Sequence, residues 1–392
     1  PMNVAALRDE TPGCTNVLHF NNAGASLPPQ PVLDAQVRHL EREAVIGGYE
    51  AAAEANDQVE HTYEAIARLL NCAPDEIALV ESATRAWDMA FYSMTFEPDD
   101  IIVTSRSAYA SNYIALLQVA KRTGATIKVA PSEMSGEVDI DQLRDLLYKN
   151  VALVTLTHVP TNGGLVNPAE TIGHVAREAG VPVLLDACQS AGQIPLDVEQ
   201  LGCTMLSATG RKYLRGPRGT GFLYIRRDWI ERLEPAMLDL HSATWTAMDT
   251  YRVRSDARRF ESFESNVAGR IGLGVAVDYA LSRGVKAIER RVQDLAASLR
   301  TRLATLPGVN VYDQGRAQCG ITTFATPMMK ATQIQQALRE RTINVSVSTP
   351  SSTRFDAVIR TLPDLVRASV HYYNTEEEVE QFVAELRDIL GV

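Results

Sequence analysis

The feature that most restricts the fold is an alternation, from residue 77 to residue 225, of short apolar runs with longer segments of helical spacing. Ile77–Val80, Ile101–Thr104, Thr126–Ala130, Val151–Thr157 and Val181–Asp186 are the apolar runs, three of them rich in β-branched residues. Thr84–Thr95, Asn112–Thr123, Asp139–Asn150 and Pro168–Gly180 lie between them with helix-like periodicity. Such alternation predicts a mostly parallel sheet covered by helices. Val181–Leu185 is apolar throughout, as a strand buried on both faces requires. Cys203–Ala208 and Gly221–Ile225 complete the expected sheet. Asp139 is placed to cap one helix and Gly180 to end another.

Beyond this region the pattern changes. Gly284 to about Leu306 is helix-like and rich in Arg, Ala and Leu. After it come strand-like runs at Val309–Tyr312, Gly320–Phe324, Asn344–Val347 and Val366–Val370, a helix near Ala331–Glu340 and a last helix from Thr375. A chain of 392 residues exceeds a typical single domain. The expected organisation is an N-terminal segment (1–20), a large α/β domain (21–283) and a smaller α+β C-terminal domain (284–392).

Composition excludes several classes. The net charge of −10 argues against a broad basic face for nucleic acid. No apolar run reaches the length of a membrane span, and the N-terminus has no signal-like pattern. The five cysteines are scattered, with no CxxC pair and no zinc-type Cys/His spacing, so no metal site is expected. An odd, sparse set fits a reducing, cytoplasmic compartment. In that setting the sequon Asn344-Val345-Ser346 reads as a chance match.

The chemistry concentrates between Val183 and Ile225. An acid, Asp186, closes a buried run, and Lys212 follows the next run by a short turn. Ligands of α/β sheets gather beyond strand carboxyl ends, so both side chains can face one crevice. A carboxylate for a ring nitrogen and a lysine for a Schiff base are what pyridoxal 5′-phosphate (PLP) requires. The acid keeps the pyridine nitrogen protonated, and the lysine binds the aldehyde and then serves as general base or acid. Taken singly, Asp186 reads as a helix cap and Lys212 as a solvated charge.

These residues, with their flanking motifs, resemble the class V branch of the fold-type I PLP enzymes. That branch contains cysteine desulfurases, cysteine C–S lyases, hercynylcysteine sulfoxide lyase and isopenicillin N epimerase. The family's Asp-x-x-Gln is matched by Asp186 and Gln189. Its Ser-Gly-His-Lys is matched by Thr209-Gly210-Arg211-Lys212, and its Gly-Pro-x-Gly-x-Gly loop by Gly216 to Gly221. The resemblance covers nearly the whole chain and implies a fold-type I architecture with a mostly parallel seven-stranded sheet.

It also implies roles for other residues. Ser82, Ala83 and Thr84 would hold the cofactor phosphate at a helix start. Thr209 and Arg211 would join them, and Thr244 would reach the phosphate of a neighbouring subunit in a homodimer. Tyr109 would stack on the pyridine ring, and Asn162 would bond the cofactor phenolic oxygen or the substrate. Asn22 and Ala25, in the segment from His19 to Pro29, would line the substrate site. Arg367, in RASVHYYNT, would grip the substrate carboxylate by two prongs. Unaided, Tyr109 reads as a packed tyrosine, Asn162 as a turn residue, and Ser82 or Asn374-Thr375 as helix starts.

The pattern also departs from the family. Cysteine desulfurases carry a nucleophilic cysteine on a mobile loop before the carboxylate arginine, whereas Asn344 to Arg360 here contains none. Serine cannot accept the sulfur as a persulfide, so desulfuration is not expected. Arg211 stands where the family has His, and Arg215 and Arg218 follow it, a cluster that counters the phosphate or selects an anionic side chain. Lyase, epimerase and transaminase chemistry all begin with loss of the substrate α-proton. They differ in whether the carbanion expels a β-group or is reprotonated at Cα or at the cofactor. Tyr109 or a loop serine is a possible second acid for epimerisation. EAVIGGYEAAAEA (Glu43 to Ala55) resembles the matching part of hercynylcysteine sulfoxide lyases. The expected activity is therefore carbon–sulfur β-elimination on a cysteine-type amino acid, with racemisation or epimerisation (as in isopenicillin N epimerase) as the first alternative and transamination as the second. A non-catalytic scaffold is the remaining reading.

Overall fold

The computed structural model describes residues 2–148 and 150–392. Pro1 of the N-terminal segment and Lys149, within the helical stretch expected at Asp139–Asn150, lie outside them. The alternation folds as a seven-stranded sheet of β1 (Ile77–Val80), β2 (Ile101–Ser105), β3 (Thr126–Ala130), β4 (Val151–Thr157), β5 (Val183–Asp186), β6 (Met205–Thr209) and β7 (Gly221–Ile225). The strand order is β1-β7-β6-β5-β4-β2-β3. Strands β2 to β6 pair in parallel, while β7 runs antiparallel to β6 and to β1.

Side-chain alternation explains why successive residues of the central strands are apolar. Val183, Leu185, Leu206 and Ala208 enter the core on one face of the sheet. Leu184 and Met205 enter the core on the other. Both faces are therefore dry, and each buried Leu contributes about 1.5–3 kcal/mol. The strand expected from Val181 begins at Val183, because Pro182 has no N–H to give to a ladder.

The expected helices are present at Ala83–Tyr92, Ala110–Thr123, Ile140–Leu146 and Ala169–Glu178. The side chain of Asp139 caps the third by accepting from the Gln142 N–H at 3.0 Å. A helix at Val267–Arg283 was not anticipated. It is separated from Val285–Ala304 by Gly284, whose φ of 81° breaks the chain direction between them.

The second sheet contains β8 (Asn310–Val311), β9 (Ile321–Ala325), β10 (Ser346–Ser348) and β11 (Leu365–Ser369), in the antiparallel order β8-β9-β11-β10. Its core joins Leu295, Leu299, Phe324, Val366 and Phe382 with Leu18 and Phe20. Leu18–His19 also pairs in parallel with Ile343–Asn344, so the N-terminal segment is stitched to the C-terminal part of the chain.

This topology positions the site. The parallel strands end together, and β1 runs in their direction because both it and β6 oppose β7. The turns after Val80, Ser105, Thr157, Asp186 and Thr209 therefore open on one side of the sheet. Two of these segments approach so closely that only glycine fits. A Cβ at Gly192, where φ is 96°, would lie 2.3 Å from the carbonyl carbon of Tyr213.

Candidate active site

Asp186 ends β5 and is buried. Its Oδ1 accepts the Cys188 backbone N–H at 2.9 Å, and its Oδ2 accepts from Asn112 Nδ2 at 2.7 Å. Burial pushes the carboxyl pKa up, while these two donors and Lys212 pull it back. Lys212 follows β6 in the turn Gly210-Arg211-Lys212 and is partly buried. Desolvation lowers its pKa, the Cys188 thiol opposes this, and Arg367 and Arg211 add to the lowering before Asp186 opposes it. Cys188, Arg367, Arg211 and Asp186 thus all lie within electrostatic reach of Lys212, beyond the strand ends.

Arg367 reaches this region from β11. It is buried and donates from Nη1 to the Thr161 carbonyl at 3.0 Å and to Thr161 Oγ1 at 2.8 Å. Its Nε is buried without a partner among the described residues. Burial lowers the guanidinium pKa, with Tyr213 and Tyr109 opposing. Tyr109 directly precedes the helix Ala110–Thr123 and is half-buried beside Arg367.

Gln189 donates from Nε2 to the Ala23 carbonyl at 3.0 Å, and its buried Oε1 has no partner. Thr209 Oγ1 accepts from Arg211 Nη1 at 3.2 Å. Ser82 caps the helix Ala83–Tyr92 by accepting the Arg85 N–H at 3.0 Å; Ala83 is buried and Thr84 is exposed at that helix start. The N-terminal turn docks on the lysine loop through the Ser26 N–H and the Arg211 carbonyl, 2.9 Å apart. Ala25 lies in that turn, its carbonyl accepting from His19 Nε2 at 2.8 Å.

Three more of the expected residues have the following surroundings. The amide of Asn22 donates to the Ser369 carbonyl at 2.8 Å and accepts from the Tyr373 hydroxyl, which ties the N-terminal turn to β11. Asn162 donates to Ser348 Oγ at 2.7 Å and Thr353 Oγ1 at 3.4 Å. Thr244 stands exposed on the hairpin formed by Ala243–Ala247 and Thr250–Val253.

The expected Arg211/Arg215/Arg218 cluster is not formed. Arg215 is buried and donates to the Leu27 carbonyl at 2.8 Å, Tyr372 OH at 2.8 Å and Thr11 Oγ1 at 2.7 Å, with its guanidinium over the Tyr373 ring. Its donors are spent in the core, and Arg218 points into solvent. Only Arg211 of the three lies by Lys212.

The segment without cysteine is folded and fastened. A helical turn at Pro350–Thr353 leads into the helix Arg354–Ile359. Asp356 pairs with Arg106 at 2.9 Å and Arg360 at 3.1 Å, and the Phe355 and Tyr113 rings meet edge to face at 5.0 Å. Sequence reading missed Asn112, Thr161 and Cys188. Asn112 carried no signal of its own, since an asparagine in the first turn of a helix reads as a local polar residue.

A lysine and a carboxylate facing each other beyond the ends of a mostly parallel sheet, with an arginine across the crevice, define a fold-type I scaffold. The family model described as aminotransferase class-V matches residues 18–382, and the chain belongs to that family. A probable cysteine desulfurase of Xylella fastidiosa is 30% identical, over 96% of this chain and 92% of the relative. One of Methanothermobacter thermautotrophicus is 27% identical over 100% and 99%. Among solved structures, an Escherichia coli cysteine desulfurase superposes with a TM-score of 0.92 at 22% identity, covering 100% of this chain and 99% of that one. A cystine C–S lyase in complex with its reaction product cysteine persulfide gives 0.87 at 25% identity, covering 96% and 99%.

The residues present fit PLP. A buried carboxylate, a partly buried amine of lowered basicity and a buried amide oxygen on Gln189 without a partner are suited to its ring nitrogen, aldehyde and phenol.

Proposed function

We propose that this chain is a PLP-dependent carbon–sulfur β-lyase acting on a cysteine-type amino acid. The observation that carries the reading is the convergence of Lys212, Asp186 and Arg367 on a crevice whose neighbouring segment, Asn344 to Arg360, contains no cysteine. The thiol beside Lys212 belongs to Cys188, and burial raises its pKa, holding it in the protonated form that is the poorer nucleophile. The likeness to a cystine C–S lyase supports the same choice.

Bound PLP supplies an electron sink conjugated to the substrate Cα. Asp186 would pair with the ring nitrogen, Gln189 would bond the phenolic oxygen, and Tyr109 would cover the ring. Ser82, Ala83, Thr84, Thr209 and Arg211 would hold its phosphate. Lys212 Nζ takes the proton from Cα; as the Cβ–S bond breaks, its electron pair leaves with sulfur and a Cα=Cβ bond forms. The lowered basicity of Lys212 keeps a fraction of the amine unprotonated for that transfer. Arg367 pairs with the substrate carboxylate, held in place by Thr161, while Asn162 and the backbone from Asn22 to Ala25 complete the wall.

The division at 21–283 and 284–392, with 1–20 as a leading segment, belongs to the same proposal, supported by the separate core around Phe324. So does a cytoplasmic homodimer. Leu240, Trp245, Met248 and Tyr251 are exposed on and beside the hairpin that carries Thr244, an apolar surface suited to a second copy. No helix of the described residues is long and apolar enough to cross a membrane.

Incubation with cysteine or cystine in deuterated water tests the reaction. Pyruvate and ammonia are expected, with sulfide from cysteine or cysteine persulfide from cystine. Alanine as the product would identify a desulfurase, and α-deuterated amino acid of scrambled chirality a racemase; either defeats the proposal. Arg367→Leu is expected to lower kcat/KM by roughly 30-fold or more, mostly through KM, because it removes a two-pronged charged contact. Unchanged KM would remove Arg367 from the substrate site.

A further inference from the structure

Asn112 contacts Asp186 from a different element of the fold, and its amide has no place in the chemistry described above. We infer that Asn112 is a positioning residue for Asp186, fixing the carboxylate and keeping its charge directed at the cofactor ring. The inference rests on the PLP reading.

The geometry leads there in three steps. An ionised carboxylate only accepts, so the 2.7 Å contact requires the Asn112 NH₂ to face Oδ2. The other oxygen is held at 2.9 Å by the Cys188 N–H, a backbone donor within the turn of Asp186 itself. One bond from the turn and one from the helix Ala110–Thr123 together set the plane of the carboxylate, which neither does alone.

The chemical nature of the donor matters as much. A lysine or arginine at 112 would form an ion pair and compete with the ring nitrogen for the same charge. A leucine of similar shape would leave Oδ2 buried without a partner. A neutral amide stabilises the charge without neutralising it. The charged group facing Asp186 is Lys212, from the loop after β6, and the Cys188 thiol lies on the turn after β5. The helix start thus serves the site twice, with Tyr109 just before the helix beside Arg367 and Asn112 in its first turn on Asp186.

The test uses the full-length protein loaded with PLP, as wild type, Asn112→Leu and Asn112→Asp. The readouts are the PLP dissociation constant, the pH dependence of the cofactor absorbance band and thermal stability at neutral pH. Asn112→Leu is expected to weaken PLP binding about 10-fold or more, the effect of losing a hydrogen bond to a charged group. It should also move the acid-side midpoint of the band to higher pH, by about one unit. Asn112→Asp should move that midpoint further, because two adjacent carboxyls retain a shared proton. Loss of thermal stability with an unmoved midpoint would mean a structural role only, and wild-type affinity with an unmoved midpoint would mean none; both overturn the inference. If Asn112→Leu does not fold, the near-isosteric Asn112→Asp decides by the same midpoint. A wild-type protein without a band overturns the cofactor reading beneath it, whereas a wild-type band with unshifted variants overturns the role of Asn112 alone.

Discussion

Lys212→Ala is expected to abolish the absorbance band that PLP gives with the wild-type protein, at roughly 420 nm, and to slow β-elimination by on the order of 10³-fold or more. Two functions disappear with one amine. The covalent link to the cofactor aldehyde is lost, and so is the base that removes the substrate α-proton. The fold should survive, because the lysine is held in a partly buried site that lowers its basicity and therefore disfavours its charge. Removing such a group relieves desolvation rather than breaking a stabilising contact. Lys212→Arg separates charge from chemistry, since guanidinium keeps the positive charge but is not deprotonated at working pH. Both variants should therefore lack the band while unfolding near the wild-type temperature. A band that persists in Lys212→Ala would mean that another amine carries the cofactor.

Asp186→Asn is the second large effect. The substitution preserves shape but removes the buried charge that faces the ring nitrogen. Loss of one preorganised electrostatic partner costs about 10²–10³-fold in kcat, or about 3–4 kcal/mol. A further penalty is built into this site. The Asn112 NH₂ and the Cys188 N–H both donate to position 186 at 2.7 and 2.9 Å, so an amide there presents its own NH₂ to one of two donors. The variant should bind PLP more weakly and turn over slowly while remaining folded. Wild-type kcat in Asp186→Asn, measured at saturating PLP, would refute the pairing of this acid with the ring.

The main sheet was legible because its signal is local. Both faces of β5 and β6 are covered, so apolar residues occupy successive positions at Val183-Leu184-Leu185 and Met205-Leu206, and a reader needs no knowledge of the partners to see it. The helix Val267–Arg283 was missed for the opposite reason. Gly269, Gly272 and Gly274 interrupt it, and they are tolerated because neighbours press against them. A Cβ at Gly274 would lie 2.3 Å from Thr62 Oγ1. No window of sequence contains that contact.

The site divides in the same way. Asp186 and Lys212 were singled out because each lies close to the end of a strand that the sequence announces, and Gln189 because it completes the Asp-x-x-Gln resemblance. Arg215 was misread because its charge was visible and its surroundings were not. Only the folded chain brings Leu27, Thr11 and Tyr372 around it from distant parts of the sequence. Asn112 was overlooked because an asparagine in a helix has no meaning until its neighbour across the sheet is known.

By itself the sequence determined that strands and helices alternate, that a lysine and an acid follow adjacent buried strands, and that no cysteine lies between Asn344 and Arg360. These are properties of covalent order and local periodicity. The tertiary structure decided which charges face the crevice and which are spent in the core, and which side chain fixes Asp186. Those choices depend on distances between residues remote in the chain, and burial makes their energies large enough to matter.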